Sequence, residues 1–234
     1  MSRKIKMWRD PYGEGFNTCK KREIEIEPGL TVLVGCNGAG KTTMIKNIKD
    51  EMGKANVPVF LYNNLSDGGS HSVSAALFSG DSVLGGTMIC SSEGERISLN
   101  ISIAASKWRK FIQTGDDGDK FKHLTKSLSE MGINEIKEQE ILNERWILLD
   151  AIDSGFSVDN IIEVKELFQL VIDDARSQGI ELYIIASANE YELASGENCM
   201  DVTTGKYIQF KDYDDYRKFI LGTRKKKDKR YKES

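Results

Sequence analysis

Histidine, proline and paired cysteine are the scarce residues of this 234-residue chain. With His71 and His123 the only histidines, a histidine-rich zinc site or repeated imidazole chemistry is nearly excluded. Cys19, Cys36, Cys90 and Cys199 form no CxxC pair, which fits a reducing cytosol better than secretion. Only three prolines, with 39% apolar and 29% charged residues, make a globular composition rather than a disordered one. No apolar run approaches the ~18 residues of a membrane span. The start, Met1 to Lys6, lacks the apolar core of a signal peptide. A cytoplasmic protein without a membrane partner is expected. At roughly 150 residues per domain, the length suits one large domain, or one domain with an inserted subdomain.

Apolar periodicity divides what is present into strands and helices. Ile5 to Trp8 reads as a strand, and a turn-rich stretch with Pro11, Gly13 and Gly15 follows. Arg22 to Glu27 alternates with period two, while Leu30 to Val34 is a continuous apolar run of the kind buried on both faces. Thr43 to Met52 has helical character, and Val57 to Tyr62 is another strand candidate. Residues 63–90 are rich in Gly and Ser, and a structureless stretch of that length predicts short elements that no pattern places. Over Arg96 to Gln113 two periods compete. Ile97, Leu99, Ile101 and Ile103 alternate like a strand, whereas Ile97, Ile101, Ala105, Trp108 and Ile112 share a helix face. Length favours the helix. Phe121, Leu124, Leu128 and Met131 predict a further helix stopped by Gly132.

Trp146 to Leu149 is a second buried strand, and Ile180 to Ala186 a third. Between them Ser157 predicts an N-cap for a helix with Ile161, Val164, Phe168, Val171 and Ala175 inward, stopped by Gly179. Strands alternating with helices argue for an α/β fold whose central strands are parallel.

One segment carries chemistry outright. Gly35, Cys36, Asn37, Gly38, Ala39, Gly40, Lys41 and Thr42 match GxxxxGK[ST] in full, directly after a buried strand and at the start of a helix. Glycines let backbone N–H groups curl around a phosphate where side chains would clash. The helix behind, entered through Thr43, offers its unsatisfied N–H groups and positive dipole end to the same anion. Lys41 supplies a mobile charge between phosphates, and the Thr42 hydroxyl is a magnesium ligand. The pattern predicts binding of a nucleoside triphosphate. Such a loop needs a carboxylate at the end of a neighbouring buried strand to hold Mg²⁺, and Asp150, closing Trp146 to Leu149, has that place.

The run from Ile24 to Thr43, IEIEPGLTVLVGCNGAGKTT, resembles the opening of an ABC-type ATPase, a kind of P-loop NTPase. It is more similar to the DNA-associated branch of that superfamily (chromosome-maintenance, recombination and overcoming-lysogenization-defect types) than to transporter subunits, and is similar to small ABC-type ATPases of phage and bacterial genomes. The resemblance implies a mostly parallel core sheet, an antiparallel edge built from residues 1–34, and a small helical lobe. It implies ATP and Mg²⁺ as ligands, with ATP against GTP left open. Ser91 to Glu95 resembles the signature segment, which implies that Ser92, Gly94 and Glu95 approach the nucleotide of a partner subunit in an ATP-dependent homodimer, and that a helix opens there.

Where most members carry a catalytic Glu after the strand-end Asp, this chain has Ala151. A missing general base costs about 10²–10⁴ in rate, so hydrolysis is expected to be slow or to use another carboxylate. Asp153 is the candidate substitute, the alternative being that it caps the turn. The switch His is also absent. Asn189, or less readily Ser187, stands where the γ-phosphate would be monitored. Arg9 resembles the N-terminal arginine that leans on the phosphates, and Asn63 or Asn64 occupies the place of the Gln loop. About 55 residues separate Glu95 from Asp150, so residues 115–143 read as an insertion, within a lobe spanning about 63–143.

The net charge of −3 hides an asymmetry. Arg217 to Ser234 hold nine basic and two acidic residues, leaving 24 basic and 34 acidic for the remainder. Asp212 to Leu221 reads as an amphipathic helix with Tyr213, Tyr216 and Ile220 on one side. The ATPase domain is expected over residues 1–222, with 223–234 a basic tail. Arg224, Lys225, Lys226, Lys227, Lys229, Arg230 and Lys232 suit a sequence-blind grip on nucleic-acid phosphates. A solubilising end, or docking on an acidic protein partner, are the alternatives. The leading expectation is a slow ATP-driven switch, with a role in DNA-related or phage–host processes coming from resemblance alone. A non-catalytic ATP-dependent scaffold that recruits an effector is the second, and an energy-coupling transporter subunit the third.

Overall fold

The computed structural model describes residues 2–13, 17, 19–63, 93–116 and 143–233. Among them a six-stranded sheet forms the centre. Its strands are β3 (Gly29–Val34), β4 (Val59–Asn63), β5 (Glu144–Asp150), β6 (Glu181–Ser187), β7 (Cys199–Asp201) and β8 (Lys206–Ile208), in the order β4-β5-β6-β3-β7-β8. All neighbours are parallel except β7 and β8, which are antiparallel. A separate antiparallel pair, β1 (Arg3–Lys6) and β2 (Glu23–Ile26), sets Ile5 opposite Ile24. The expected antiparallel part therefore ends at Ile26, because Gly29–Val34 is flanked by β6 and β7 inside the parallel sheet.

The helices are α1 (Lys41–Lys54), α2 (Glu93–Thr114), α3 (Val158–Ser177), the short α4 (Tyr191–Ala194) and α5 (Tyr213–Glu233). The contested segment beginning near residue 96 is helical, as its length required. The further helix expected around Phe121 to Met131, and the Gly/Ser-rich stretch after Asn63, lie outside the described residues. α3 buries Ile161, Val164, Phe168, Val171 and Ala175 on one face, with Gly179 beyond its end at φ 72°. Ser157 takes the N-cap position in extended backbone, but its hydroxyl donates to Asn160 Oδ1 (2.7 Å) and caps no helical N–H. α5 continues the expected Tyr213 helix without a break through the basic run, and Thr223 within it is only 4% exposed. Tyr216 faces the core and Tyr213 remains 58% exposed.

Two apolar clusters cover the two faces of the sheet. On one face Ile147 and Leu149 of β5 meet Trp108 and Phe111 of α2 and Phe168 of α3. On the other, Trp146 and Leu148 meet Met44, Ile45 and Ile48 of α1 together with Ile5 and Ile24. Alternate residues of one strand thus enter opposite cores, which is why β5 reads as unbroken apolar sequence. Trp146 stacks on Tyr183 of β6 at 4.3 Å between ring centroids. Each fully buried aliphatic side chain contributes about 1.5–3 kcal/mol by leaving water. The carboxyl ends of β3, β4, β5 and β6 finish along one edge, and the functional residues gather there.

Candidate phosphate-binding site

The loop between β3 and α1 folds as its sequence demands. Gly38 and Gly40 take left-handed backbone, at φ 75° and 105°, which side chains resist by roughly 1–2 kcal/mol. Gly40 is also the N-cap of α1, so no side chain caps the first turn, and no acidic residue stands in it. The positive end of a fourteen-residue helix is thereby left to an outside anion. Lys41 lies along the loop and donates from Nζ to the Gly35 carbonyl (2.9 Å). Burial pulls its pKa down, while the carboxylates of Asp153 and Asp150 act in the other direction.

The ends of β4 and β6 and the first turn of α1 converge on Asp150, itself 6% exposed. Thr42 Oγ1 donates to Asp150 Oδ1 (3.2 Å), Ser187 Oγ donates to the same oxygen (2.9 Å), and Asn63 Nδ2 reaches Oδ2 (3.4 Å). Asn63 faces Asp150 across the β4–β5 ladder, so its approach follows from register. Ser187 also accepts the Ala151 N–H (2.7 Å) and is 1% exposed, so it anchors the carboxylate and the turn behind it. A hydroxyl and a carboxylate brought together by two elements are hard oxygen donors of the kind Mg²⁺ prefers. Among the described residues no cluster of three His, Cys, Asp or Glu side chains is present.

The segment after Asp150 is tied to the end of β6. Asp153, 3% exposed, accepts from the backbone N–H of Asn189 (2.5 Å) and Glu190 (2.8 Å) and from Asn189 Nδ2 (3.2 Å). Burial raises its pKa, and these hydrogen bonds hold it down. Asn189 in turn accepts the Tyr216 hydroxyl on its carbonyl oxygen (3.0 Å). The structure thus places Lys41, Asp150, Asp153 and Asn189 in one neighbourhood, with Asp153 and Asn189 bonded to each other. Ala151 stands between the two acids in left-handed backbone, at φ 54°.

Arg9 donates from Nη1 to the Cys19 carbonyl (3.4 Å). Gly94 and Glu95 lie in the first turn of α2, which begins at Glu93, while Ser92 and Asn64 lie outside the described residues. Three residues stand beside the loop that no sequence pattern assigns to it, Lys227 among them having been expected to face nucleic acid. Tyr12, 60% exposed, is hydrogen-bonded through its hydroxyl to Thr43 Oγ1 (2.8 Å), and so stands at the head of α1. Thr223 and Lys227 of α5 bond the loop backbone. None has a local signal, because each contact joins residues far apart in the chain.

No family model matches the chain, and no curated protein matches it. Among solved structures it is similar to cbiO1 from Clostridium perfringens, described as part of the ABC transporter complex cbiONQ. The identity is 15% and the TM-score 0.43, over 88% of this chain and 86% of that one.

Proposed function

We propose that this chain binds ATP with Mg²⁺ and works as an ABC-type nucleotide switch. The observation that carries the reading is the meeting of Thr42 with Asp150, 3.2 Å apart, at the mouth of an acid-free helix N-terminus entered through left-handed glycines. In this reading the loop amides and Lys41 hold the β- and γ-phosphates, and Thr42 and Asp150 hold the magnesium. That ion neutralises phosphate charge and steadies the phosphates for transfer. The exposed ring of Tyr12 provides a flat apolar surface for a base. Equilibrium binding of a fluorescent ATP analogue tests this. Lys41→Ala is expected to weaken binding about 100-fold or more, the loss of two charge-assisted hydrogen bonds; affinity near wild type rejects the loop assignment.

The finer reading is a homodimer closed around two ATP·Mg²⁺, with Ser92, Gly94 and Glu95 of one subunit facing the loop of the other, and slow hydrolysis reopening it. It rests on the sequence resemblance and on the helix that opens at Glu93. A second reading, an ATP-binding scaffold without turnover, is favoured by one observation. Asp153, the carboxylate available to replace a missing base, already accepts three hydrogen bonds. Steady-state phosphate release that Lys41→Ala leaves unchanged supports the scaffold. Co-purification with a membrane protein points instead to a transporter subunit. Nucleic acid remains a candidate partner of the basic face of α5, where Arg224, Lys225 and Lys226 are exposed. Salt-sensitive DNA binding lost on reversing Lys225 and Lys226 to Glu tests that role.

A further inference from the structure

The basic run of α5 is folded back onto the phosphate loop of its own chain. The Thr223 hydroxyl accepts the Cys36 N–H (3.2 Å) and donates to the Ile220 carbonyl (2.8 Å), so this buried side chain is fixed in place. One helical turn later, Lys227 Nζ donates to the Asn37 carbonyl (3.0 Å). A Cβ built on Gly38 would lie 3.2 Å from the same Nζ. The ammonium therefore sits against the glycine whose missing side chain lets an anion approach. Its neighbours Arg224, Lys225 and Lys226 are exposed, and Arg224 is paired along the helix with Asp228 (4.0 Å).

Stability alone does not explain Lys227. A lysine–carbonyl contact at the surface gains little and costs rotamer freedom. Thr223 already pins the helix to the loop. An ammonium has three donors, of which the Asn37 carbonyl occupies one. Its four-carbon stem lets the charge shift by a few Å without moving the helix. Next to a loop that gathers phosphate, such a charge adds a second cation to that of Lys41.

We propose that Lys227 is a phosphate ligand of the bound nucleotide, supplied in cis by α5, so that nucleotide occupancy and docking of this helix reinforce each other. The proposal rests on the nucleoside-triphosphate reading of the loop. A triphosphate, with more negative charge than a diphosphate, draws on Lys227 more strongly.

The test measures affinity of the full chain for fluorescent ATP and ADP, each with Mg²⁺, over a range of salt. Lys227→Ala is expected to weaken ATP binding about tenfold and ADP binding less, and to flatten the salt dependence. Lys227→Arg should stay within about threefold of wild type, and Lys225→Ala, an exposed neighbour, should match wild type. Hydrogen exchange in wild type should slow around residues 220–229 when ATP·Mg²⁺ is added. Circular dichroism and melting temperature verify that each variant is folded, with Lys227→Gln replacing Lys227→Ala if the latter is not. Wild-type affinity in Lys227→Ala, an equal loss in Lys225→Ala, or tighter binding that marks the lysine as a plug, each overturns the proposal. Lys41→Ala reports separately on the loop. If that variant binds ATP like wild type, the nucleotide reading itself has failed, whatever Lys227 does.

Discussion

Burial of Lys41 works against its charged form before any ligand is considered. Burial lowers its pKa from the ordinary 10.5, so the folded chain releases this proton at lower pH than the unfolded chain. Between the two values the unfolded state binds more protons, and the stability contributed at this position rises with pH. Chemical denaturation of wild type and Lys41→Met should therefore show Lys41→Met the more stable near neutrality, with the gap closing as pH climbs towards 10.5; a gap independent of pH removes the burial argument. Ala151 makes a different point. Its left-handed backbone is already strained by roughly 1–2 kcal/mol, so replacing it with another L-residue adds little strain. Ala151→Glu restores a carboxylate beside Asp150. Phosphate release is expected to rise about 10²–10⁴-fold if a missing base limits turnover, and no rise favours the scaffold. Lys41, Thr42 and Asp150 were legible because the loop is a local pattern and the acid ends a buried strand. The contacts of Tyr12, Thr223 and Lys227 with Thr43, Cys36 and Asn37 were not, since they span 31, 187 and 190 positions.

At the level of elements, burial decided what the sequence could disclose. β3, β5 and β6 are covered on both faces and so appear as continuous apolar runs. β7 and β8 escaped because three-residue strands such as Cys199–Asp201 are too short to show a period. The apolar pattern carries α5 only to Leu221, since a dense run of lysines looks like a solvated end. Its continuation is fixed by one buried hydroxyl that no composition reveals. Thr223→Val tests this element. It removes the acceptor of the Cys36 N–H, and an unpaired buried donor costs about 1–3 kcal/mol. The denaturation midpoint should fall accordingly. A midpoint equal to that of wild type means α5 is not fastened there.

For the whole molecule, the charge imbalance matters most. With the basic run docked on the body, the net charge of −3 leaves only a weak repulsion between copies, and a pair that forms only with nucleotide needs the ligand to bridge it. Light scattering with and without ATP·Mg²⁺ should show a doubling of mass that Gly94→Asp abolishes, while circular dichroism of that variant stays unchanged. Doubling that persists in Gly94→Asp rejects the signature reading.

The shared strand β5 has a last consequence. Trp146 and Leu148 serve one core, Ile147 and Leu149 the other, so neither side can melt while its opposite stays intact. The two halves are obliged to fail together. Loss of near-ultraviolet signal from the Trp146–Tyr183 pair, and of that from Trp108 across the sheet, should coincide in a single thermal transition with equal calorimetric and van't Hoff enthalpies.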